Sequence, residues 1–570
     1  MMAKKKFVLS TIGLITVLAM LLSGCVGAAP TAAPAPAAPA PTTVPAAPAP
    51  TAAPAPTAAA AITTTEPMTA TAPVATAASA PTAAAAMTTT TPMTATAPAV
   101  AGNMEAAPFP GWVEGLPRIE APKGFDWKQF SGVTLNFISE NTPPSSALAK
   151  QIKDFEDVTG IKVNITQTDL GAVVEKMGLD FGSKKGQYQI IYADPYQLLA
   201  PYADKYVDLN KFNNDPALPH VPGGLDDFIK SQLLVTAYFG DDTKLLALPY
   251  DCPTMIWMYR KDIIEKYKDQ FQKDKGYDWT PSGNLTWDQY FEMADWITKN
   301  VPKDEVKYGT GQQAKQYDSL MCDFSNVLAA NGGDYFAAPH LGDIGTAKPG
   351  KCLLTSPAGM KSAEFYKKLV GIADPASTSW DWTGLAEAFA AGEVAFAPNW
   401  HEFASTLENP ATSKIAGKIG YSILPKGDTR SANIYGGTGI AINADAPEKE
   451  QKAAWLFLIW ATAPQTELMV LQSPVGGETP VRNSVYNLDI VKKGMTPGTP
   501  ESKQMLNLLP MPATLEAWKL ENVYMRPKIP QWLQVDTVVY THLSNMLAGT
   551  EAPDAAMTNA CKEIDGIVGP

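Results

Sequence analysis

Residues 133–139 read VTLNFIS, with Val133, Leu135 and Phe137 alternating against Thr134 and Asn136, the period-two pattern of a strand with one buried face. The spacing then changes. Beyond Pro143 and Pro144, with Ser145 and Ser146 as capping residues, Leu148, Ile152 and Phe155 recur at helical intervals as far as Gly160, a residue suited to a left-handed helix stop. IKVNIT (161–166) reads as strand, the stretch around Val173 to Leu179 as helix, and QIIYAD (189–194) as a strand that ends on an acid. A β-α-β-α-β order implies a parallel sheet covered by helices, and ligands of such sheets sit beyond the carboxyl ends of the strands. Those ends carry Ser139, Glu140 and Asn141, and Asp194 with Pro195. Polar residues are also what any solvent-facing strand exit shows, so position alone does not make them functional.

Strands and helices continue to alternate down the chain. LLALPYD (245–251) leads into TMIWMYRKDIIEK, and TWDQYFEMADWITKN opens with Thr286 and Gln289 in capping-box spacing. SPAGMKSAEFYKKLVG has Pro357 in its first helical turn. EAFAAGEVAFAPNW is a helix, a glycine stop and a strand ending on Trp400; GKIGYSILP and NIYGGTGIAIN are strands, and PEKEQKAAWLFLIWATAP is a helix with Trp455, Leu458 and Ile459 in the core. The class is α/β, and the number of strands calls for two sheets. Trp257 and Tyr259, and Trp287 and Trp296, read as packing residues.

The first hundred residues differ in kind. Lys4, Lys5 and Lys6 precede an uncharged apolar run from Phe7 to Leu22, then Ser23, Gly24 and Cys25. This is the layout of a secretory signal peptide, residues 1–24, and the run is short for a span of about 30 Å of hydrocarbon. Cys25 is either an incidental thiol or, since LLSGC resembles the bacterial lipobox, the residue that is acylated and becomes the mature N-terminus. Each buried CH2 of an acyl chain contributes about 0.8 kcal/mol, so two or three chains would hold a body with no transmembrane span. From Val26 to about Pro108 the chain is Ala, Pro and Thr, with ITTTEPMTATAP (62–73) returning as MTTTTPMTATAP (87–98). It has no aromatic residue and cannot bury enough apolar surface to offset chain entropy. We read 25–108 as a tether that reaches at most about 260 Å at polyproline rise.

Residues from about 131 to 570 are too many for one core and suit two lobes. The formal charge is −12, or −15 without the signal lysines, which argues against nucleic acid or anionic lipid headgroups as partners. Cys252, Cys322, Cys352 and Cys561 match no zinc spacing; outside the cytoplasm an even number permits two disulfides, and Cys322 with Cys352 is the expected pair because they flank one helix and the turn after it. HEF (401–403) lacks the second histidine of a zinc helix, and neither a G-x-S-x-G elbow nor a phosphate-binding loop occurs. The four histidines form no sequence cluster, and neither a cofactor nor a metal is expected.

FEDVTGIKV, LALPYDCPTMIWMYRKD, NLTWDQYFEMADWI, AFAAGEVAFAPNW, IGYSILPKG, YGGTGIAI followed by APEKEQKAAWLFLIWAT, and GGETPVRNSVY, in this order, resemble the extracellular solute-binding proteins of ABC importers, in particular the sugar-binding branch that includes maltose and trehalose binders. The resemblance spans about 131 to 490. It implies a periplasmic-binding-protein-like fold: a first lobe over 131–250, a second over 251–428, a return to the first over 429–475, and 476–570 completing the second lobe with interlobe helices. It also implies a ligand cleft between the lobes, hinge closure over one solute, no catalysis, and a monomer that delivers to an ABC permease with cytoplasmic ATPase subunits. The place of work would be the extracytoplasmic face of the cell membrane, at the cell surface or in the periplasm.

A carbohydrate or polyol needs flat aromatic surfaces for its C–H faces and charged or amide groups for its hydroxyls. By the resemblance these are Glu140 and Asn141 after the first strand, Asp194 at the third, Tyr250 and Asp251 near the crossover, Trp400 as stacking platform, Gly436, Gly437 and Thr438 in the YGGTG turn, and Arg482. Trp400 could instead be core, and Arg482 with Asp251 a structural ion pair. Thr438 stands where sugar-binding relatives often have Trp, which implies a ligand smaller than a disaccharide or a replacement such as Trp380 or Trp382. The competing readings are the same fold with another solute (a polyamine, peptide or metal chelate) and a secreted glycoside hydrolase. If Cys25 is acylated, the mature chain partitions into the detergent phase of a Triton X-114 extract and the Cys25→Ala chain into the aqueous phase; equal partitioning would remove the anchor.

Overall fold

The computed structural model of the protein describes residues 103–473 and 479–569; the signal segment, Cys25 and most of the tether lie outside the described residues. The described residues begin ahead of both the expected end of the tether at 108 and the expected start of the body at 131, and they are folded from Met104 on. Strands β1 (Met104–Ala106) and β2 (Glu120–Pro122) pair antiparallel. Phe109, Leu116, Ile119 and Phe130 are buried, with the Phe109 ring 5.1 Å from that of Trp127, and Pro110 accepts a hydrogen bond from Gln465 Nε2 at 2.8 Å. Three-residue strands are too short to show a hydrophobic period, so this strap left no pattern in the sequence.

The first lobe is built on a five-stranded sheet. β3 (Thr134–Glu140) lies between β4 (Lys162–Thr168) and β5 (Ile190–Ala193), parallel to both. Two strands from later in the chain, β6 (Ala247–Asp251) and β12 (Thr438–Ile442), complete the order β4-β3-β5-β12-β6, with β12 antiparallel to β5 and β6. The helix Pro143–Thr159 follows β3. Its cap is Thr142, ahead of the expected Ser145 and Ser146, because Pro143 and Pro144 occupy the first turn, where their missing N–H groups cost nothing. Thr142 Oγ1 accepts from Ser145 N at 3.3 Å, and Gly160, at φ 68°, closes the helix. Phe155 from this helix meets Phe457 and Trp460 of the core helix Glu448–Ala461 at 5.3 and 5.4 Å.

The second lobe holds a four-stranded sheet in the order β10-β7-β9-β8, made of β7 (Met255–Arg260), β8 (Tyr308–Thr310), β9 (Val394–Trp400) and β10 (Ile419–Ser422). Trp257 on β7 is fully buried, its ring 5.1 Å from Phe396 and 4.9 Å from Tyr290. Tyr290 sits on the helix Trp287–Asn300, which starts with the Thr286/Gln289 capping box. Beside the sheet runs the helix Asp318–Ala330, all of whose residues are buried. The C-terminal helices Trp532–Ala548 and Pro553–Val568 pack on it and on the helix Pro357–Ile372.

Two of the chain's passages between the lobes lie in adjacent lanes, and a third follows Arg482, where the chain leaves the first-lobe loops for the second lobe. Asp251 to Thr254 leads from β6 out to β7, and Tyr435 to Thr438 leads from β11 (Asn433–Tyr435) back to β12. The lanes bridge at Thr254 and Tyr435, and Gly436 N donates to Pro253 O at 2.9 Å. β11 in turn pairs parallel with β13 (Val523–Met525), and Trp518 Nε1 donates to Thr254 Oγ1 at 2.7 Å, so the C-terminal segment braces the crossover.

The cysteine expectation is corrected. Cys352 is bonded to Cys561, 209 residues away, whereas Cys322 is a free, buried thiol near Asp318 and Arg526. Nearness in sequence misled because Cys322 is buried within the central helix beside Asp318 and Arg526, while Cys352 reaches the C-terminal helix. Closing so long a loop restricts the unfolded chain, so Cys561→Ser is expected to lower unfolding free energy by about 2–5 kcal/mol in denaturant titrations without reductant. Loss of less than 1 kcal/mol would show that the helix is held by packing alone.

Candidate functional site

Where the two sheets face each other at the crossover lies a half-open cavity of about 50 Å3. Its wall is assembled from both lobes. The carboxyl ends of first-lobe strands supply Glu140, at the end of β3, and Tyr192 and Asp194, on and just after β5; Thr142 and Leu170 come from the two helix starts that follow β3 and β4. This is where a doubly wound sheet leaves backbone and helix ends pointing at a ligand. From the second lobe come Trp400 at the end of β9, Glu402 just beyond it, Asp318 and Trp382, and the crossover lanes add Pro253, Gly436 and Thr438. Arg526 arrives from the segment after β13.

Each polar wall group is held by its own partners. Asp194 caps the helical turn at 195–199, its Oδ1 accepting from Tyr196 N at 2.9 Å and Gln197 N at 2.7 Å. The Arg526 guanidinium lies 4.1 Å above the Tyr196 ring and its Nη1 is 3.3 Å from Asp318 Oδ1. Both partners of that pair are more than nine-tenths buried, so losing one would leave the other charge uncompensated. Gly436 is needed for close approach: a Cβ there would stand 2.6 Å from the Trp400 ring, so any side chain would displace the indole from the wall.

Burial dominates the electrostatics. It raises Glu140 to about 8, with the charges of Asp251, Asp194 and Asp318 adding to the shift. Asp194 is also raised by burial, against the attraction of Arg526. Asp251 is raised to about 6 by burial, while Glu402 beside it goes well above the usual carboxylate range through burial and the charges of Asp251 and Glu140. The Glu402 and Asp251 pair thus keeps its proton on Glu402. Protonated, a carboxyl group donates one hydrogen bond and still accepts; ionised, it only accepts. The wall therefore offers both roles to a solute rich in hydroxyls, and two indoles, Trp382 and Trp400, are among its apolar lining.

Of the residues singled out in the sequence, Glu140, Asp194, Trp400, Gly436 and Thr438 line this cavity. Tyr250 and Asp251 stand one layer behind it. Asp251 is fully buried and accepts from Tyr192 Oη at 3.4 Å, and Tyr250 packs edge-on to Tyr192 with ring centres 6.3 Å apart. Gly437 is buried, with Tyr435 Oη filling the place of a side chain, and Asn141 is exposed and lies outside the lining. Arg482 is elsewhere. Its guanidinium sits 3.5 Å over the Phe228 ring, 3.8 Å from Asp227, and donates to Thr462 O and Pro222 O, so it ties together first-lobe loops and its ion-pair partner is Asp227, not Asp251. Of Trp380 and Trp382, only Trp382 lines the cavity.

The sequence reading passed over Thr142, Tyr192, Asp318, Glu402 and Arg526. Thr142 and Tyr192 adjoin strand ends already singled out, and a wider window there would have found them. Glu402 lies two residues beyond Trp400. Nothing local marks Asp318 or Arg526, whose place follows from the C-terminal segment folding back on the crossover. A larger hollow, about 620 Å3, beside Ser405 and Lys503 has no aromatic ring and a single carboxylate in its lining.

Two mixed lobes joined by crossover strands, with a polar cavity at their junction, are the architecture of a solute-binding protein. The chain matches the family model described as bacterial extracellular solute-binding protein over residues 139–467, and it belongs to that family, whose members work outside the cytoplasm in transport and are not enzymes. Among its relatives, a probable amino-acid ABC transporter periplasmic-binding protein of Sinorhizobium fredii is 22% identical over 77% of this chain and 90% of its own. The erythritol/L-threitol-binding protein of Mycolicibacterium smegmatis is 21% identical over 65% of this chain and 74% of its own. A solved ABC transporter solute-binding protein of Agrobacterium radiobacter K84 in complex with ribitol is 25% identical, with a TM-score of 0.61 over 76% of this chain and 98% of that one.

The folded-state value of Glu140 lies above its ordinary 4.5, so between about 4.5 and 8 the folded protein holds a proton that the unfolded chain has released. The stability it contributes is complete below pH 4.5 and lost as pH rises through 8. The unliganded protein should therefore lose stability from pH 5.5 to 8.5, and Glu140→Gln should flatten that slope in denaturant titrations. Identical slopes would mean that Glu140 is not protonated in the fold.

Proposed function

We propose that this chain is the capture subunit of an ABC importer for a small polyhydroxylated solute, a polyol or a single sugar ring. The observation that carries the reading is the wall itself: Trp400 and Trp382 from one lobe, Glu140, Tyr192, Asp194 and Thr438 from the other, around about 50 Å3. That space is small beside the roughly 300–1,000 Å3 of pockets for drug-sized ligands, which favours a polyol over an oligosaccharide. Support also comes from the bound ribitol of the Agrobacterium radiobacter protein and the erythritol and L-threitol in the name of the Mycolicibacterium smegmatis one.

In this reading 131–250 with 429–475 forms one rigid half and 251–428 with most of 476–570 the other. Solute touching both halves favours the closed form in proportion to its differential contacts, and the closed form docks on a permease. Cys25 anchors the monomer by acyl chains and the Ala/Pro/Thr tether lets the body sweep the space outside the membrane. Glu140, Asp194, Trp400, Gly436 and Thr438 contact the solute, Asp251 and Tyr250 support that wall, and the solute leaves unchanged.

A thermal-shift panel of erythritol, ribitol, mannitol, glucose, maltose, amino acids and polyamines tests this. A ligand at a hundred times its dissociation constant stabilises by about 2.7 kcal/mol, and the rise is expected with a polyol or monosaccharide, with no new reducing ends after incubation. A response only to amino acids or polyamines, or a chemically altered solute, would overturn the proposal.

A further inference from the structure

We propose that Lys528 is a clasp between the two lobes and that its proton sets how readily they separate; this rests on the reading of the chain as a two-lobed receptor that closes, and adds to it a control by pH. Lys528 follows β13 on the C-terminal segment, and its main chain is stitched to a second-lobe loop: Lys528 N donates to Leu341 O at 2.8 Å, and Thr346 N donates to Lys528 O at 3.0 Å. Its side chain reaches the first lobe. Nζ donates to Val235 O and Tyr238 O, at the end of the helix Lys230–Ala237 that precedes β6. The last carbonyls of a helix have no partner within it and lie at the negative end of its dipole, so a donor on a cation suits that place. A second bond joins the same two segments, from Gly240 N to Ile344 O at 2.7 Å. Two residues before Lys528, Arg526 lies over the ring of Tyr196 in the first lobe and lines the cavity. One short stretch of the second lobe thus grips the first lobe twice, once at the cavity and once at a helix end.

The clasp has no acid of its own. Lys528 is fully buried, and among the described residues it forms no ion pair; what it holds on the first lobe are neutral carbonyls. An ammonium group taken out of water with no carboxylate beside it loses more hydration than two carbonyls return. Burial accordingly pushes Lys528 down to about 7, against the pull of Asp343 and Asp194. Where the lobes part at this point, the side chain regains water and its ordinary value of 10.5. Separation therefore takes up a proton between about 7 and 10.5: the clasped arrangement gains on the separated one as pH rises through that window, and the gain is gone once pH falls below 7. The other titratable groups around the clasp are Arg526 on the same segment, Asp194 after β5, Tyr238 and Asp242 past the helix end, and Asp343 with His340 on the loop. Tyr238 is raised by burial to about 12 and stays neutral across the window. His340 pairs with Asp343 at 2.9 Å and is two-thirds exposed, so its surroundings change little when the lobes part.

The test is the interlobe distance of the full chain without solute, read by energy transfer between dyes on Leu179→Cys in the first lobe and Gln270→Cys in the second, both exposed positions. Cys25→Ala leaves those two as the reactive thiols, since Cys252 and Cys322 are buried and Cys352 is bonded to Cys561. Two separations are expected, with their ratio moving toward the clasped one by up to about tenfold per unit from pH 7 to 9. Lys528→Met keeps the apolar stem, and Lys528→Gln keeps a donor that does not titrate; each should abolish the shift with pH. A shift that persists in both variants, or a single separation in the parent chain at every pH, would overturn the clasp. The receptor reading is judged apart from it, by adding erythritol, ribitol, mannitol and glucose to the same labelled chain: a distance that responds to one of them keeps closure standing without the clasp, and a distance that responds to none removes closure as well.

Discussion

The two lanes of backbone that carry the chain between the lobes are hydrogen-bonded to one another, and the rest of the molecule is arranged around that joint. Thr254 pairs with Tyr435, Gly436 donates to Pro253, and the C-terminal segment adds Trp518 on Thr254 and β13 on β11. Each sheet satisfies its own backbone groups internally, so the joint adds only a few bonds between them. It also fixes where a guest can sit. The cavity is lined by the lanes themselves, so a solute bound there touches both halves and the pivot together.

That position explains why the site can be small and acidic at once. Groups that would repel each other in an open groove are kept within one wall because each is anchored from behind: Asp194 by two backbone N–H groups, Asp318 by Arg526, Asp251 by Tyr192. Burial raises their affinity for protons, so the empty wall stores part of its charge as protonated carboxyls. Arg482 shows the contrasting use of a buried charge: lying on Phe228 and donating to two carbonyls of first-lobe loops, it serves the fold and lies outside the cavity lining.

Much of this was legible in the order of residues. Alternation in VTLNFIS and the helical spacing of Leu148, Ile152 and Phe155 are local, and local sterics and one-sided burial produce the strand β3 and the helix after it whatever the distant chain does. The parallel half of the first sheet, β4-β3-β5, follows from that alternation, and with it the prominence of Glu140 and Asp194 at strand ends, whereas the antiparallel β12 makes the whole sheet mixed where a parallel one was expected. Trp400, Gly436 and Gly437 were singled out through the resemblance; in the fold Gly436 lies against the Trp400 ring and Gly437 against Tyr435.

Other features needed the folded chain. Cys352 finds Cys561 across 209 residues, Arg526 reaches a wall built mainly from residues before 440, and the short strap at 103–130 has no period to read. The sequence by itself determined the class, the two sheets, the acidic character and the strand ends that face a ligand, since these depend on spacing within one or two turns. Tertiary structure alone decided which acids converge, which arginine lines the cavity, which tryptophan joins Trp400 there and which cysteines pair. Those choices are contacts between segments far apart in the chain, and no local pattern records a contact that only packing creates.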